Sequence, residues 1–325
     1  MEQNIKDRVI GVEISVKRTS FAIVDIRGNI LAKGFFPTND YETMNDYVAA
    51  LCEKLVELAE ANGGYETIRS IGVSAPSANF KTGCIVNSPN LPWKGVIPLA
   101  ALMRDRLGIA VAVGNDAYVT ALGERAYGVA HGMKNFIVIT LGHGIGSSFF
   151  TDGIVHTGTD GFAGEVGHVC IKPNGRECGC GRKGCLEAYC AGKGIIATAR
   201  ELMEQSDQPS LMRSLEELNP VTIEECCEKG DEMAIEVYRI TGRKLGVTIA
   251  DYATILNPEA IIFTGGIANA GHWLFDPLQE SFDKHVFKNI RGKVKILRSK
   301  FNSYERDMLG ASALAWGIKE YSLFK

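Results

Sequence analysis

Apolar residues form short runs at the start of the chain and change to a helical spacing further on. Three apolar runs, over 9–16, 19–25 and 30–36, are separated by tight turns, which predicts an antiparallel meander. Residues 41–62 instead repeat apolar side chains at helical spacing and stop at a glycine pair, which predicts an amphipathic helix. The pattern then predicts a strand, a helix, a strand and a helix in turn: 68–74, 97–107, 111–113 and 117–127. This alternation favours a mixed sheet flanked by helices.

The second half of the chain begins in the same way as the first. A strand over 135–141, a glycine turn and a second strand through Phe150 repeat the opening order, which indicates a weak internal duplication. The pattern predicts further helices and strands in the order 186–203 (helix), 232–256 (helix), 260–264 (strand), 294–300 (strand) and 308–320 (helix). No low-complexity linker marks a boundary, so the pattern places it only near 115–127.

Length and charge narrow the functional classes. A chain of 325 residues is long enough for two cores with a cleft between them. Its composition, 46% hydrophobic and 22% charged with 36 glycines, is that of a globular protein. The net charge of −3 and the pI near 6.1 provide no basic field for nucleic acid. The polar N-terminus and the absence of a long apolar run predict a cytoplasmic protein with no membrane partner.

A cluster of cysteines carries the clearest chemistry. Four of the nine cysteines fall between 178 and 190, and clustered cysteines in a reducing compartment indicate a metal. One histidine and three cysteines match the ligands of a structural zinc: His168, Cys178, Cys180 and Cys185. Four protein ligands leave no open position for water, so we expect a zinc that holds a loop in shape. Reduced core cysteines beside an unrelated histidine are the alternative.

Two carboxylates flank the predicted zinc ligands. Glu165 precedes His168 by three residues, and Glu187 follows Cys185 by two. Carboxylates that accept hydrogen bonds from several hydroxyls suit a polyol such as a sugar. His168 can bind zinc through one ring nitrogen and a ligand through the other. Taken alone, Glu187 fits a solvated surface position equally well.

Three further segments combine glycine or acidic residues with strand ends. Asn115 and Asp116 follow the strand over 111–113 and begin a helix, where open sheets place ligands, although Asp116 alone also fits a helix N-cap. The glycine turn within 141–148 offers backbone N–H groups to an anion, but it lacks the features of a P-loop or a dinucleotide fingerprint. The pair Gly265-Gly266 would let a flat ligand such as adenine approach the backbone.

Together these segments resemble the ROK family of sugar kinases and regulators over essentially the whole chain. The matching pieces are 90–92 (NLP), 114–117 (GNDA), 140–146 (TLGHGIG), 164–168 (GEVGH), 178–187 (CGCGRKGCLE) and 265–266 (GG). The resemblance implies an actin-like (ribonuclease H-like) two-domain α/β fold, with ATP and a hexose meeting in the interdomain cleft. It also implies a homodimer or homotetramer. We expect a small domain over 1–117, a larger one over 118–304, and a C-terminal helix within 305–325 that packs back on the first.

The resemblance also implies roles for single residues. Asp116 would be the general base that takes the proton of a sugar hydroxyl, O6 being expected, as the hydroxyl attacks the γ-phosphate of ATP with Mg²⁺. The sugar ligands would be Asn90, Asn115, Asp116, Glu165, His168 and Glu187. The nucleotide contacts would be Glu13, Lys17, Arg18, Gly142, Gly144, Gly146, Gly265 and Gly266.

The first phosphate hairpin departs from the family pattern. The family reads Asp-x-Gly-Gly-Thr-Lys, whereas residues 13–18 of this chain read EISVKR. Ser15 and Val16 replace the two glycines that let the backbone approach phosphate. Either Lys17 and Arg18 hold the phosphates by charge, or the protein is a catalytically impaired sugar-binding or regulatory member of the family.

Other functional classes have less support. Family repressors carry a helix-turn-helix segment ahead of this domain, and the first strand near Val9 leaves no room for one in this sequence. A zinc-dependent nucleic-acid module rests only on the cysteine cluster, and the acidic balance argues against it.

Overall fold

The computed structural model of the protein describes residues 6–88, 91–302 and 305–318. These form two compact units. The first contains the described residues up to Gly132 together with those from Lys300 onward, and the second extends from Met133 to Ser299. The domain division at residue 117 stays a prediction.

The described residues contain thirteen strands and nine α-helices. The strands are β1 (Arg8–Ile14), β2 (Arg18–Asp25), β3 (Ile30–Pro37), β4 (Ile68–Ser74), β5 (Ala78–Asn79), β6 (Cys84–Val86), β7 (Val96–Ile97), β8 (Ala110–Gly114), β9 (Phe136–Leu141), β10 (Ile145–Thr151), β11 (Ile154–Val155), β12 (Ala260–Thr264) and β13 (Lys295–Arg298). The helices are α1 (Met44–Glu60), α2 (Leu99–Leu107), α3 (Asp116–Ala126), α4 (Glu187–Cys190), α5 (Gly192–Gln205), α6 (Pro220–Glu228), α7 (Glu232–Leu256), α8 (His272–His285) and α9 (Arg306–Trp316).

Each unit contains a five-stranded mixed sheet, and the two sheets have the same connectivity. The first has the order β3-β2-β1-β4-β8 and the second the order β11-β10-β9-β12-β13. In both, the first three strands in sequence are antiparallel neighbours, and the last two run parallel to the first. The meander predicted for the start of the chain is therefore confirmed. The weak duplication predicted from the sequence appears here as a repeated topology.

Apolar runs of the predicted length explain most of these elements. The strands β4 and β12 have the bounds predicted from the sequence, and so does α7. The predicted helix over 186–203 is instead two helices, α4 and α5, because Ala191 takes an extended backbone conformation between them. The pattern missed α6, α8 and the small sheet β5-β6-β7.

The helix α9 packs across the sheet of the first unit through glycines that leave no room for a side chain. A Cβ at Gly11 of β1 would lie 2.1 Å from the carbonyl oxygen of Met308, and one at Gly72 of β4 would lie 1.9 Å from that of Ala311. Backbone against backbone is closer packing than any larger residue permits. This contact fixes the position of α9 on the strands and places its first turn at their carboxyl ends.

The interior of each unit is apolar. Separate clusters of buried aliphatic and aromatic side chains fill the two units. Across the part of the chain that the structure describes, no helix combines the length and the apolar character that a membrane span requires.

Candidate functional site

The four predicted zinc ligands converge in the second unit. Their ligand atoms all lie within 4.8 Å of one another. The Sγ of Cys178 is 3.6 Å from Nδ1 of His168, and the Sγ atoms of Cys180 and Cys185 are 3.7 Å apart. A tetrahedron of such ligands around zinc has edges of about 3.5 to 3.8 Å. The arrangement therefore fits a structural zinc, with His168 facing the metal through Nδ1.

The loop around these ligands is shaped by glycines and backbone hydrogen bonds. The N–H of Cys178 donates to the carbonyl of Arg182 at 2.8 Å, which closes a tight turn. Gly184 has a φ of +80°, and a Cβ there would lie 1.9 Å from the carbonyl oxygen of Lys172. The N–H of Arg182 also lowers the pKa of the Cys180 thiol, which favours the thiolate that a metal binds.

A single arginine, not identified from the sequence, attaches the zinc loop to the helices behind it. The guanidinium of Arg176 donates to Glu201 at 2.9 Å and 2.6 Å and to the carbonyl of Gly194 at 2.9 Å. It also lies 4.7 Å from the ring centroid of Tyr189, and the hydroxyl of Tyr189 accepts from the Arg176 N–H at 2.8 Å. Arg176 was missed because an arginine between metal ligands reads as a solvated loop residue.

The segment carrying Glu165 and His168 rests on strand β10. The Val166 N–H donates to the Ser147 hydroxyl at 3.2 Å, and that hydroxyl donates to the Gly164 carbonyl. Residues three apart in a 3₁₀ turn lie on the same side. The Cα–Cβ bonds of Glu165 and His168 therefore leave the backbone on the same side of the turn Val166–His168.

Glu187 joins the zinc cluster to the glycine hairpin between β9 and β10. Its Oε2 accepts from the Ile145 N–H at 2.9 Å, and its Oε1 lies 3.7 Å from Sγ of Cys178. A Cβ at Gly144 would lie 2.6 Å from the same Oε2, so a glycine is needed there for this contact. Glu187 is partly buried at the start of α4, not a solvated surface residue.

The predicted phosphate and adenine glycines are neighbours in the second sheet. Thr264 pairs with Thr140, so Gly265 lies beside the end of β9, and a Cβ there would lie 2.2 Å from the Leu141 carbonyl oxygen. A Cβ at Gly142 or at Gly266 would meet nothing within 4 Å. Room is thus left for a ligand to approach the backbone at these two positions. Gly146, which lies in β10, pairs with Thr140 of β9.

Asn115 and Asp116 lie in the first unit, at the carboxyl end of β8. The N-cap of α3 is Asn115, whose side chain accepts from the Tyr118 N–H at 2.8 Å. The interpretation of Asp116 as the cap is therefore wrong, because it is the first helical residue and its Oδ1 accepts from the Ala117 N–H. Asp116 is exposed to solvent, yet the surrounding protein reduces the hydration of its carboxyl and raises its pKa.

The altered hairpin between β1 and β2 is closed on itself. Both the N–H and the hydroxyl of Ser15 donate to the carbonyl of Arg18, at 3.1 Å and 2.7 Å. Lys17 and Arg18 are exposed. Glu13 is partly buried at the end of β1, and burial, with the Asp307 charge as the second cause, raises its pKa to about 7.

Two charged residues beside Glu13 and Asp116 were missed by the sequence analysis. Arg306 and Asp307, in the first turn of α9, form an ion pair with Nε to Oδ1 at 2.8 Å and Nη2 to Oδ2 at 2.9 Å. Their side chains are only 16% and 15% exposed. The available signal was a charged pair directly ahead of an apolar helix, which is also the usual start of a solvated helix.

Asn90 and the candidate metal ligands complete the set of predicted site residues. Asn90 lies outside the described residues. Among the residues that are described, the only group of three or more His, Cys, Asp or Glu side chains that converges as metal ligands is the zinc cluster.

Comparisons with known proteins match this architecture throughout. The model of the ROK family matches residues 9–317. A glucokinase of Thermotoga maritima is 31% identical over 319 residues, which are 97% of this chain and 98% of that protein.

Solved structures include both kinases and regulators. A ROK family glucokinase from Streptomyces griseus, in complex with glucose and AMPPNP, is 28% identical with a TM-score of 0.77, covering 95% of this chain and 99% of that one. A ROK family transcriptional regulator, a homologue of the E. coli MLC protein, is 26% identical with a TM-score of 0.84, covering 96% of this chain and 78% of that one. The predicted actin-like α/β fold class is confirmed.

Proposed function

Because the chain belongs to the ROK family, we propose that it transfers the γ-phosphoryl group of ATP to a hydroxyl of a hexose or N-acylhexosamine, expected to be O6. Asp116 acts as the general base. One observation carries this proposal: Asp116 is accessible at the carboxyl end of β8, with a carboxyl whose pKa is raised. A base with a raised pKa accepts a proton more readily.

The proposed sugar contacts are made by side chains that neighbouring groups hold in place. The zinc cluster and Ser147 hold the segment with Glu165 and His168, whose Nδ1 faces the metal and leaves Nε2 for a hydroxyl. Asn115 uses its side-chain oxygen as the helix cap, so its amide NH₂ is the group that would donate to a sugar oxygen.

The nucleotide contacts use the backbone in the second unit and charge in the first. Gly142 and Gly266 leave room for a ligand, so the phosphates and the adenine would approach the backbone there. In the first unit, the cationic side chains of Lys17 and Arg18 would hold the phosphates in place of free backbone amides. Mg²⁺ bound to the phosphates of ATP would neutralise part of their charge.

A coupled ADP-release assay over a panel of hexoses and N-acylhexosamines tests the proposal. We expect turnover with at least one sugar and a loss of about 100- to 10,000-fold in kcat for Asp116→Asn, the usual contribution of a general base. Asp105→Asn, which removes a surface carboxylate paired with Arg104 at 3.2 Å, is the matched control and should keep its activity. Sugar binding without turnover of any sugar would contradict the proposal.

A sugar-binding or regulatory protein without catalysis is the second candidate. The closed hairpin favours it, since the Ser15 N–H is already bonded to the Arg18 carbonyl. Isothermal titration would then show sugar binding but no binding of ATP or AMPPNP. The assembly into a homodimer or homotetramer and the cytoplasmic location remain proposals, and sedimentation and cell fractionation test them.

A further inference from the structure

The first turn of α9 lies where the proposed base lies. Glu13, Ser74 and Gly114 are aligned across β1, β4 and β8, so their carboxyl ends form one edge of the sheet. The helix runs from this edge toward the amino ends of the strands: Met308 contacts Gly11 in the middle of β1, and the carbonyl of Ala315 accepts a hydrogen bond from Ser70 near the start of β4 at 3.0 Å. Its first two residues, Arg306 and Asp307, therefore lie at the edge that carries Glu13 and Asp116.

The helix α3 presents Asp116 to this same turn. Thr120 follows Asp116 by four residues and so lies on the same face of α3. Its hydroxyl is 3.4 Å from Oδ1 of Asp307. A Cβ at Gly310 would lie 2.4 Å from the Val119 carbonyl oxygen, so the two helices are in backbone contact and cannot separate without losing it.

At this edge, the charges of Arg306 and Asp307 act on both Asp116 and Glu13, and the charge of Arg18 acts on Glu13. Glu13 belongs to β1, Arg18 to β2, Asp116 to α3, and the ion pair of Arg306 with Asp307 to α9. The pair is largely buried, which keeps its field poorly screened by water and salt. The glycine contacts prevent it from moving away when the charge of a neighbour changes.

We propose that Arg306 and Asp307 form a positioning pair that sets how much of Asp116 is ionised and ready to accept the proton of the sugar hydroxyl. Arg306 favours the carboxylate form, and Asp307 opposes it while holding the guanidinium in place. This inference rests on the proposed kinase function. The electrostatics agree with the geometry: after the loss of hydration, Asp307 raises the pKa of Asp116 and Arg306 lowers it.

The signs of two single substitutions distinguish this role from a structural one. Arg306→Gln keeps a hydrogen-bond donor for Asp307 but removes the positive charge, so the acidic limb of kcat/KM should move to higher pH. Asp307→Asn removes the negative charge, so the limb should move to lower pH. We expect each shift to be about one pH unit, the usual effect of a nearby charge. A merely structural pair would impair both variants in the same direction.

Two further variants complete the design. Arg306→Lys keeps the positive charge, so the acidic limb of its kcat/KM profile should lie close to that of the wild type. Arg104→Gln removes an exposed arginine from the surface of α2 and should leave the limb in place. The proposal is overturned if the two single variants shift the limb in the same direction, or if neither shifts it.

A readout without turnover separates this inference from the kinase proposal. Titration of ¹³C-labelled aspartate carboxyls by NMR reports the Asp116 ionisation directly, with Asp116→Asn identifying its signal. The same opposite shifts are expected there. If the wild-type protein turns over no sugar, the kinase proposal fails while the NMR titration still decides the role of the pair. Circular dichroism shows whether each variant is folded. If Arg306→Gln is unfolded, the milder variants Arg306→Lys and Asp307→Asn are used for the test.

Discussion

The carboxylate of Glu187 accepts a hydrogen bond from the backbone N–H of Ile145 at 2.9 Å. Glu187 follows the last zinc ligand by two residues, and Ile145 is the first residue after the glycine turn of β9 and β10. One bond thus connects the segment proposed to hold the sugar to the hairpin proposed to hold phosphate. We therefore expect order in the zinc-ligand segment to stabilise the hairpin through this contact.

Removing the Glu187 side chain should loosen the hairpin. We expect the Ile145 amide of Glu187→Ala to exchange with solvent at least about tenfold faster than in the wild type. The reason is that the variant loses a charge-assisted hydrogen bond that contributes roughly 1.5 kcal/mol. Glu187→Gln retains an acceptor oxygen and should keep most of the protection. Glu177→Gln, in the same loop but on an exposed pair with Lys183, is the control. Equal protection of Ile145 in the alanine variant and the wild type would disprove the coupling. Hydrogen exchange with mass spectrometry measures it.

The metal should be lost when one ligand is changed. Cys185→Ser removes a buried thiolate from the four-ligand set, so zinc content should fall from one equivalent per chain to near zero. Cys170→Ser changes an exposed cysteine of the same segment that is outside the set, and should retain the full equivalent. Elemental analysis of the purified proteins measures zinc. Equal zinc contents in the two variants would rule out this ligand set.

The raised pKa of Glu13 predicts how stability depends on pH. A carboxyl with a folded pKa of about 7 holds its proton more tightly in the folded than in the unfolded chain. Stability contributed by this group is therefore present below the unfolded value near 4.5 and is lost as pH rises to about 7. Glu13→Gln should be more stable than wild type by up to about 3 kcal/mol at pH 8 and nearly equal to it at pH 4.5.

Urea unfolding at the two pH values measures this difference. Glu53→Gln, on the exposed face of α1, controls for the loss of a surface charge. A stability gain for Glu13→Gln that is the same at pH 4.5 and pH 8 would show that the burial of the charge is not its cause.

The packing of α9 should not tolerate a methyl group on β4. Gly72→Ala would place a Cβ 1.9 Å from the Ala311 carbonyl oxygen. Because both partners are backbone, the helix must shift, at a cost of about 3 kcal/mol or more. Gly179→Ala has open space around it and serves as the control. Thermal unfolding measures both, and a wild-type midpoint for Gly72→Ala would mean that α9 adapts to the added volume.

Much of this architecture was predictable because it rests on local pattern. The runs over 68–74 and 260–264 are rich in apolar residues and have the bounds of the strands β4 and β12. The zinc ligands were predictable because four side chains within 18 residues share one chemistry. These signals depend on residue type and spacing, which the sequence displays directly.

The remainder depends on contacts between distant segments. Asp116 fits a helix cap in the sequence, and only the structure assigns the cap to Asn115. Arg306 lies 190 positions after Asp116, and only the packing of α9 on the sheet brings them to the same edge. The small sheet β5-β6-β7 was missed because strands of two or three residues have no periodicity to read.

The repeated sheet topology places two hairpins at equivalent positions in the chain. The turn of 15–18 and the turn of 142–144 each join the first two strands of a five-stranded sheet. Their compositions differ: the second turn contains glycines, whereas the first contains serine, valine and cationic residues. The second hairpin therefore provides, within the same chain, a glycine-containing sequence that can be transplanted into the first, so that the effect of the altered turn is measured against an internal standard.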